Sequence, residues 1–182
     1  MNGCFFFGKD TLADLQKGWS RVFKIGDYVV YKKDVCLVSD IKRHHIGDED
    51  YYLLLPIDEA TLKIFVPTDN GAVRSLIKEE QVEKLIEKIP EIEVIQYEGR
   101  LIENEYRSLM STGKLEDLVR IIKTTYQRNK ERLDHNKKAG DKDSNYFRQA
   151  ERLLYNELSL VLHMDYETTK NYVIEKVEAL ST

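Results

Sequence analysis

The sequence has few of the residues that mark secreted, cysteine-metal or membrane proteins. It contains two cysteines, three prolines and one tryptophan in 182 residues. Cys4 and Cys36 form no CxxC pair, so neither a disulfide framework nor a cysteine zinc site is expected. No uncharged apolar run approaches the ~18 residues of a membrane-spanning helix, and the patch at 4–7 lacks the length and basic flank of a signal peptide. These absences favour a folded cytoplasmic protein.

Motifs that usually support an argument for catalysis are also missing. Gly113-Lys114 lacks the upstream glycine and the following Ser or Thr of a phosphate-binding loop, and GxGxxG, GxSxG and HExxH do not occur. The best metal candidate is His44-His45 beside the acidic run 48–50, but adjacent side chains of a strand point to opposite faces. We therefore expect no catalytic residue, no metal, no cofactor and no small-molecule substrate, and predict that the protein is not an enzyme.

Charge is nearly balanced over the chain but uneven along it. Lys and Arg number 28 and Asp and Glu 32, a net charge of -4, so long-range attraction alone does not hold the protein on DNA or an anionic membrane. From Arg120 to Arg152, however, ten bases stand against five acids. This excess could neutralise phosphates, and it is equally an ordinary way to keep a helical hairpin soluble.

The pattern of apolar residues divides the chain into three parts. Residues 1–21 show no sustained periodicity and are predicted to be a weakly structured extension, with Val22 as a hypothetical native start. Residues 22–75 contain short β-type runs separated by turn-forming residues, which favours antiparallel neighbours in a small curled sheet or barrel. The four runs are 28–31, 35–38, 51–55 and 62–66.

From residue 76 to 182 the apolar period becomes helical, which predicts an all-α module. Gly113 separates two of its helices. Residues 129–145 are polar and predict a loop, with Asp143 or Ser144 capping the next and longest helix. The predicted fold class is α+β, with a small antiparallel β module followed by a helical domain.

Three aromatic residues lie within the basic region. Tyr126 and Phe147 fall on apolar stripes, so core packing is expected for both. Tyr146 is the remaining aromatic and the candidate for stacking on bases or wedging between them. Together with neighbouring cations it gives a set of predicted DNA contacts: Arg128, Lys130, Lys137, Lys138, Lys142, Tyr146 and Arg148.

Four segments, in order, resemble the CarD/CdnL family of bacterial transcription regulators, whose first module is shared with the transcription-repair coupling factor. FKIGDYVVY at 23–31 resembles the family's opening strand, and YYLLL with LKIFVP at 51–67 resembles later strands ending in Val-Pro. STGK followed by LVR at 111–120 resembles a helix junction, and QAERLLYNEL at 149–158 resembles the family's long helix. The resemblance covers about residues 22–180.

This resemblance implies a Tudor-like module at 22–75 that binds the β subunit of bacterial RNA polymerase. It implies a helical module at 76–182 that contacts promoter DNA near the upstream edge of the transcription bubble and stabilises the open complex. The DNA contact is expected to be weak and to depend on tethering to the polymerase, which would associate the cytoplasmic protein with the nucleoid. The expected polymerase contacts are Lys42, Arg43, His44, Lys63 and Phe65.

The sequence departs from the family where a tryptophan commonly wedges into DNA. That position falls on Glu98 or Gly99. Tyr97 is the nearest aromatic, and Arg100 and Arg107 are the nearest bases; these three complete the predicted DNA contacts. Two alternatives stay open: a Tudor-like protein-interaction module with a helical platform and no DNA role, and an enzyme that uses the His44-His45 region.

Overall fold

The computed structural model describes residues 23–59, 61–96 and 101–180, so the predicted extension 1–21 and Val22 lie outside the described residues. Within these ranges five strands precede five helices, which confirms the predicted α+β class. The strands are β1 (Tyr28–Tyr31), β2 (Asp34–Ile46), β3 (Glu49–Pro56), β4 (Ile64–Pro67) and β5 (Val73–Ser75). The helices are α1 (Glu79–Lys88), α2 (Leu101–Thr112), α3 (Leu115–Asp134), α4 (Asp141–Leu162) and α5 (Tyr166–Leu180).

The five strands form one antiparallel sheet in the order β4-β3-β2-β1-β5. The turn between β2 and β3 places Gly47 at φ 65°, a conformation that glycine adopts without steric cost. Each predicted run lies in or overlaps one of the first four strands. The fifth strand was not predicted, because three residues are too few to show an alternation of apolar and polar side chains.

A small apolar cluster fills one face of the sheet. It consists of Phe23, Val29, Cys36, Val38, Tyr52, Leu54 and Val66. Tyr52 is buried, its ring meets Phe23 edge-on at 5.9 Å, and its hydroxyl accepts a hydrogen bond from the Phe23 backbone N–H at 3.0 Å. This contact fixes the chain where the sheet begins, with one of the few polar groups that the cluster contains.

The helices surround a larger core. Here the sequence prediction of a loop at 129–145 is confirmed for 135–140 and wrong for 129–134 and 141–145. Helix α3 continues to Asp134 and α4 begins at Asp141. Most of the mispredicted residues are polar because they lie on solvent-facing turns, and Lys, Glu and Arg are favourable in helices. The predicted caps are wrong as well: Gly140 precedes the helix, and Asp143 is buried in its first turn.

Candidate functional site

The predicted polymerase contacts lie at one end of the sheet, on and beside strands β2–β4. The register places Lys42 opposite Tyr51 and Phe65 opposite Leu53. Because side chains alternate along a strand, these four residues face away from the buried Tyr52. We call this surface the distal sheet face. Phe65 is 42% exposed, an unusual position for a phenylalanine on a small sheet, and Lys42 is exposed beside it.

An aromatic stack extends the distal sheet face. The ring of His45 lies parallel to that of Phe65 at 4.6 Å and meets Tyr51 edge-on at 5.6 Å. The ladder is irregular between Lys42 and Ile46, so simple alternation could not select the histidine that faces Phe65. Sequence reasoning therefore chose His44 as a contact and missed His45.

The remaining predicted polymerase contacts are exposed around the same end of the sheet. Arg43 and His44 lie in the irregular part of β2, where His44 has φ 49° and its N–H donates to Asp50 Oδ1 at 3.1 Å. Lys63 is exposed immediately before β4. Lys42 Nζ pairs with Asp40 at 2.6 Å, and this hydrogen bond holds the pKa of the Asp40 carboxyl below its usual value. The structure thus assembles cations around an exposed aromatic stack.

The residues beside His44 do not assemble a metal site. Throughout the ranges 23–59, 61–96 and 101–180, no group of three or more His, Cys, Asp or Glu side chains is arranged to hold a metal ion. In those same ranges no helix is long and apolar enough to cross a bilayer.

The opposite end of the sheet is joined to the helices by a buried carboxylate. Glu157 of α4 is 2% exposed. Arg74 of β5 binds both its oxygens, with Nη1 at 2.7 Å and Nη2 at 2.8 Å, and the Ile77 N–H donates to it at 3.0 Å. Nη2 of Arg74 also donates to the Gly113 carbonyl at 3.1 Å. We call this arrangement the Glu157 junction; it links β5, the segment before α1, the α2–α3 turn and α4.

Two further contacts join the modules. Asp58, after β3, accepts from Asn156 at 2.8 Å and pairs with Arg152 at 3.2 Å. Gly113 has φ 66°, and a Cβ atom there would lie 2.4 Å from the carbonyl oxygen of Lys32 in the β1–β2 turn. Only glycine fits this approach. The contacts hold the sheet in one orientation on the helical module, and therefore fix where the distal sheet face points.

Several predicted DNA-contacting cations are bound to carboxylates within the helical module. Arg107 and Lys142 both pair with Glu103, at 2.8 and 2.5 Å, and the two hydrogen bonds lower the pKa of Glu103. Arg128 pairs with the buried Asp143 at 3.3 Å. These pairs join α2, α3 and α4, so they contribute to the fold of the module.

Tyr146 also packs within the module. Its ring lies 4.9 Å from that of Tyr106, whose buried hydroxyl donates to Asp143 at 3.0 Å. Burial and the nearby Asp143 raise the pKa of Tyr106. Tyr146 is half-buried, which leaves only part of its ring accessible for stacking on bases.

Four predicted cations stay exposed and have no carboxylate partner within the described part of the chain. They are Lys130, Lys137, Lys138 and Arg148. Arg148 donates only to the amide oxygen of Asn145, at 2.6 Å. All four lie on or between α3 and α4. Tyr97, Arg100 and the family's wedge position at 98 or 99 lie outside the described residues.

The prediction that Tyr126 packs in the core is wrong. Its side chain is 61% exposed, whereas the adjacent Thr125 is fully buried. Thr125 satisfies its hydroxyl by donating to the Ile121 carbonyl at 2.7 Å, which allows a polar residue to occupy the core-facing position. Phe147 is half-buried beside Tyr126.

The comparison with protein families matches residues 23–78 to the CarD-like/TRCF RID domain. No curated protein matches the chain. The matched range begins at Phe23, the first residue of the sheet's apolar cluster, and ends at Lys78, immediately before α1, so it includes all five strands. Residues 23–78 are therefore a CarD-like/TRCF RNA polymerase-interacting domain, which gives this protein an RNA polymerase-interacting role related to transcription.

Proposed function

We propose that this chain is a non-enzymatic bacterial transcription regulator. Its β module binds the β subunit of RNA polymerase, and its helical module contacts promoter DNA near the upstream edge of the bubble and stabilises the open complex. The observation that carries the proposal is the exposed aromatic stack on the distal sheet face of an RNA polymerase-interacting domain. Binding alone is sufficient, because a ligand shifts an equilibrium by its differential affinity for the two states.

The distal sheet face is the part of the sheet that remains available for a partner. One face of the sheet is filled by its own core, and the β1–β5 end is held against the helices at the Glu157 junction. At the other end, the stacked rings of Phe65 and His45 offer a flat surface, and Lys42 on β2 and Lys63 immediately before β4 add exposed cations. Strand β4 is an edge strand, so its outer backbone groups can also pair with a partner strand.

The exposed cations of the helical module support a weak DNA contact. Lys130, Lys137, Lys138 and Arg148 neutralise at most a few phosphates, which is insufficient for a protein of net charge -4 to bind DNA alone. Binding to polymerase raises the local concentration of these cations near the promoter. Because the contacts between the modules fix their relative orientation, they also determine which part of the promoter these cations can reach.

Retention of the full chain by the isolated polymerase β-subunit lobe tests the first part of this function. We expect a double variant, Lys42→Glu with Phe65→Ala, to bind at least tenfold more weakly, because it removes a cation and the aromatic stack. Lys176→Glu on α5 is the matched charge control and should bind like the native chain. Equal retention of all three proteins, or no retention of the native chain at low salt, would refute this part.

A second candidate function is a Tudor-like protein-interaction module whose helices make no DNA contact. It is favoured by the carboxylate pairing of Arg107, Arg128 and Lys142. The double charge reversal Lys137→Glu with Lys138→Glu separates the candidates. A weaker promoter complex with a smaller salt slope supports DNA contact, whereas an unchanged affinity and slope supports the second candidate.

A further inference from the structure

A cleft of about 240 Å³ lies between α3 and α4, and of its lining only Arg148 has been used above as a candidate DNA contact. We call it the Tyr126 cleft; its lining is Tyr126, Asn129, Ser144, Phe147 and Arg148. Tyr126 is 61% exposed, against 42% for Phe65 and 41% for Tyr28, so it is the most exposed phenylalanine or tyrosine among the described residues. An exposed tyrosine beside a half-buried phenylalanine gives the cleft a flat apolar wall.

The backbone around the cleft is held in place before any ligand arrives. Tyr126 lies in the middle of the 20-residue helix α3, and the buried Thr125 next to it occupies the core-facing position. Asn129 joins the sides of the cleft: its Oδ1 accepts from the Gly140 N–H at 2.8 Å, and its Nδ2 donates to Ser144 Oγ at 3.4 Å. The backbone of the cleft therefore needs little further ordering when a ligand binds.

Two cations accompany the aromatic wall, one from each helix. Arg148 is part of the lining, and Lys130 lies four residues after Tyr126, hence on the same side of α3 one turn away. Neither has a carboxylate partner within the described residues, and both are exposed. A flat aromatic ring with two exposed cations on the same pair of helices complements a ligand that alternates flat apolar rings with negative charges.

We propose that the Tyr126 cleft stacks an unpaired nucleobase of a single-stranded nucleic acid, with Arg148 and Lys130 on the flanking phosphates. Single strands fit better than duplex, because the faces of paired bases are covered by their neighbours. The inference rests on the proposed function, since the edge of a transcription bubble is what would bring a single strand to the helical module. It adds a base contact to what was otherwise a phosphate contact.

Binding of the full chain with RNA polymerase to two templates of one sequence tests this inference. One template is fully paired and the other carries a preformed bubble. We expect Tyr126→Ala to weaken binding on the bubble template roughly tenfold, and to change binding on the duplex less than about twofold. Tyr126→Phe should restore the native affinity because it keeps the ring. Leu133→Ala, which shortens another exposed apolar residue of α3, should bind like the native chain.

The outcomes separate this inference from the proposed function. If Tyr126→Ala binds the bubble normally while Lys137→Glu with Lys138→Glu binds weakly, the stacking site is wrong and the proposed function stands. If Tyr126→Ala weakens binding to polymerase without DNA, the cleft contacts protein and the inference is overturned. If the native chain itself does not favour the bubble template, the proposed open-complex function fails and the inference fails with it.

Discussion

The two modules bury very different amounts of apolar side chain. The sheet's cluster contains seven buried residues, whereas the cluster among the helices contains eighteen. A module as small as the sheet supplies little stability of its own, and it also leaves the distal sheet face open to solvent. Its end near β5 is instead held by Glu157 of the larger module. From this comparison we expect the RNA polymerase-interacting domain to depend for its stability on its contacts with the helical module.

The sharpest way to break this dependence is Glu157→Ala. Removing the buried carboxylate leaves the Ile77 N–H without its acceptor and Arg74, which is 38% exposed, without its charged partner. We therefore expect the free energy of unfolding to fall by about 3 kcal/mol, the low end of the range for a buried ion pair. Chemical denaturation measures the loss. Glu116→Ala is the control, because its pair with Lys88 is exposed and should contribute less than about 1 kcal/mol. Equal losses in the two variants would contradict the comparison.

A matched pair of glycine substitutions tests the contact between the β1–β2 turn and the helices. Gly113 and Gly47 have nearly the same φ, 66° and 65°, but a Cβ meets Lys32 only at Gly113. Gly47→Ala should cost about 1 kcal/mol from the left-handed backbone alone. Gly113→Ala should cost roughly 3 kcal/mol, because backbone must also move. Similar midpoints of thermal unfolding for the two variants would show that the modules do not meet closely there.

The larger core should tolerate the loss of a polar contact without disturbing the sheet. Tyr106→Phe removes the hydrogen bond to Asp143 and should cost about 1–2 kcal/mol. Amide hydrogen exchange should accelerate in α2–α4 and stay unchanged in β1–β3. Tyr172→Phe, which removes a hydroxyl bound to Glu83 at the edge of the module, serves as control. Acceleration of exchange in the strands would show that the sheet depends on the whole helical core and not only on the Glu157 junction.

Cys36 reports on the opening of the sheet. Burial, and secondarily the charge of Asp34, raises the pKa of its thiol to about 11, so about one thiol in a thousand is ionised at pH 8. In a Cys4→Ser background we expect slow reaction with a thiol reagent, because reaction requires the sheet to open. Glu157→Ala should accelerate the reaction, whereas Glu116→Ala should leave it unchanged. A fast reaction in the native chain would show that the cluster is accessible.

The smallest effect concerns the surface pairs of the helical module. Lys142 and Arg107 lower the pKa of Glu103 in the folded protein, so these pairs stabilise the fold above the unfolded pKa of about 4.3. That contribution is lost as the pH falls through the lower folded pKa. Carboxyl titration by NMR should show Glu103 ionising below its usual range, and Lys142→Ala should move it back. An unchanged titration in the variant would remove Lys142 as the main cause.

The apolar pattern of the sequence was sufficient to predict the order of the modules and most element positions. Val29, Cys36 and Val38 alternate on β2 and its neighbour as the pattern requires. The extent of α3 and α4 was missed because residues 129–134 are polar on every turn, which is typical of both loops and solvated helices. The N-cap of α4 is Gly140, and a glycine is as common in a loop as at a helix start, so no clear signal in the sequence marks where α4 begins.

Most of the polar contacts that position the sites could not be predicted from the sequence. Glu157 is a single acidic residue in the apolar stretch LLYNELSLVL, a signal that indicates a buried partner but not that the partner is Arg74, 83 residues away. Tyr126 was misplaced because threonine usually indicates a surface position, and here Thr125 took the core side. Which side chain faces inward at such a turn depends on three-dimensional packing around the helix.

The separation of Arg74 from Glu157 also bears on how the chain is made. During synthesis the sheet leaves the ribosome first, and its carboxylate partner follows 83 residues later. At ordinary translation rates this interval is on the order of ten seconds. For that time the nascent sheet has neither its anchor nor the helices that cover its β5 end, so we expect newly made protein to be most vulnerable to proteases before α4 has emerged.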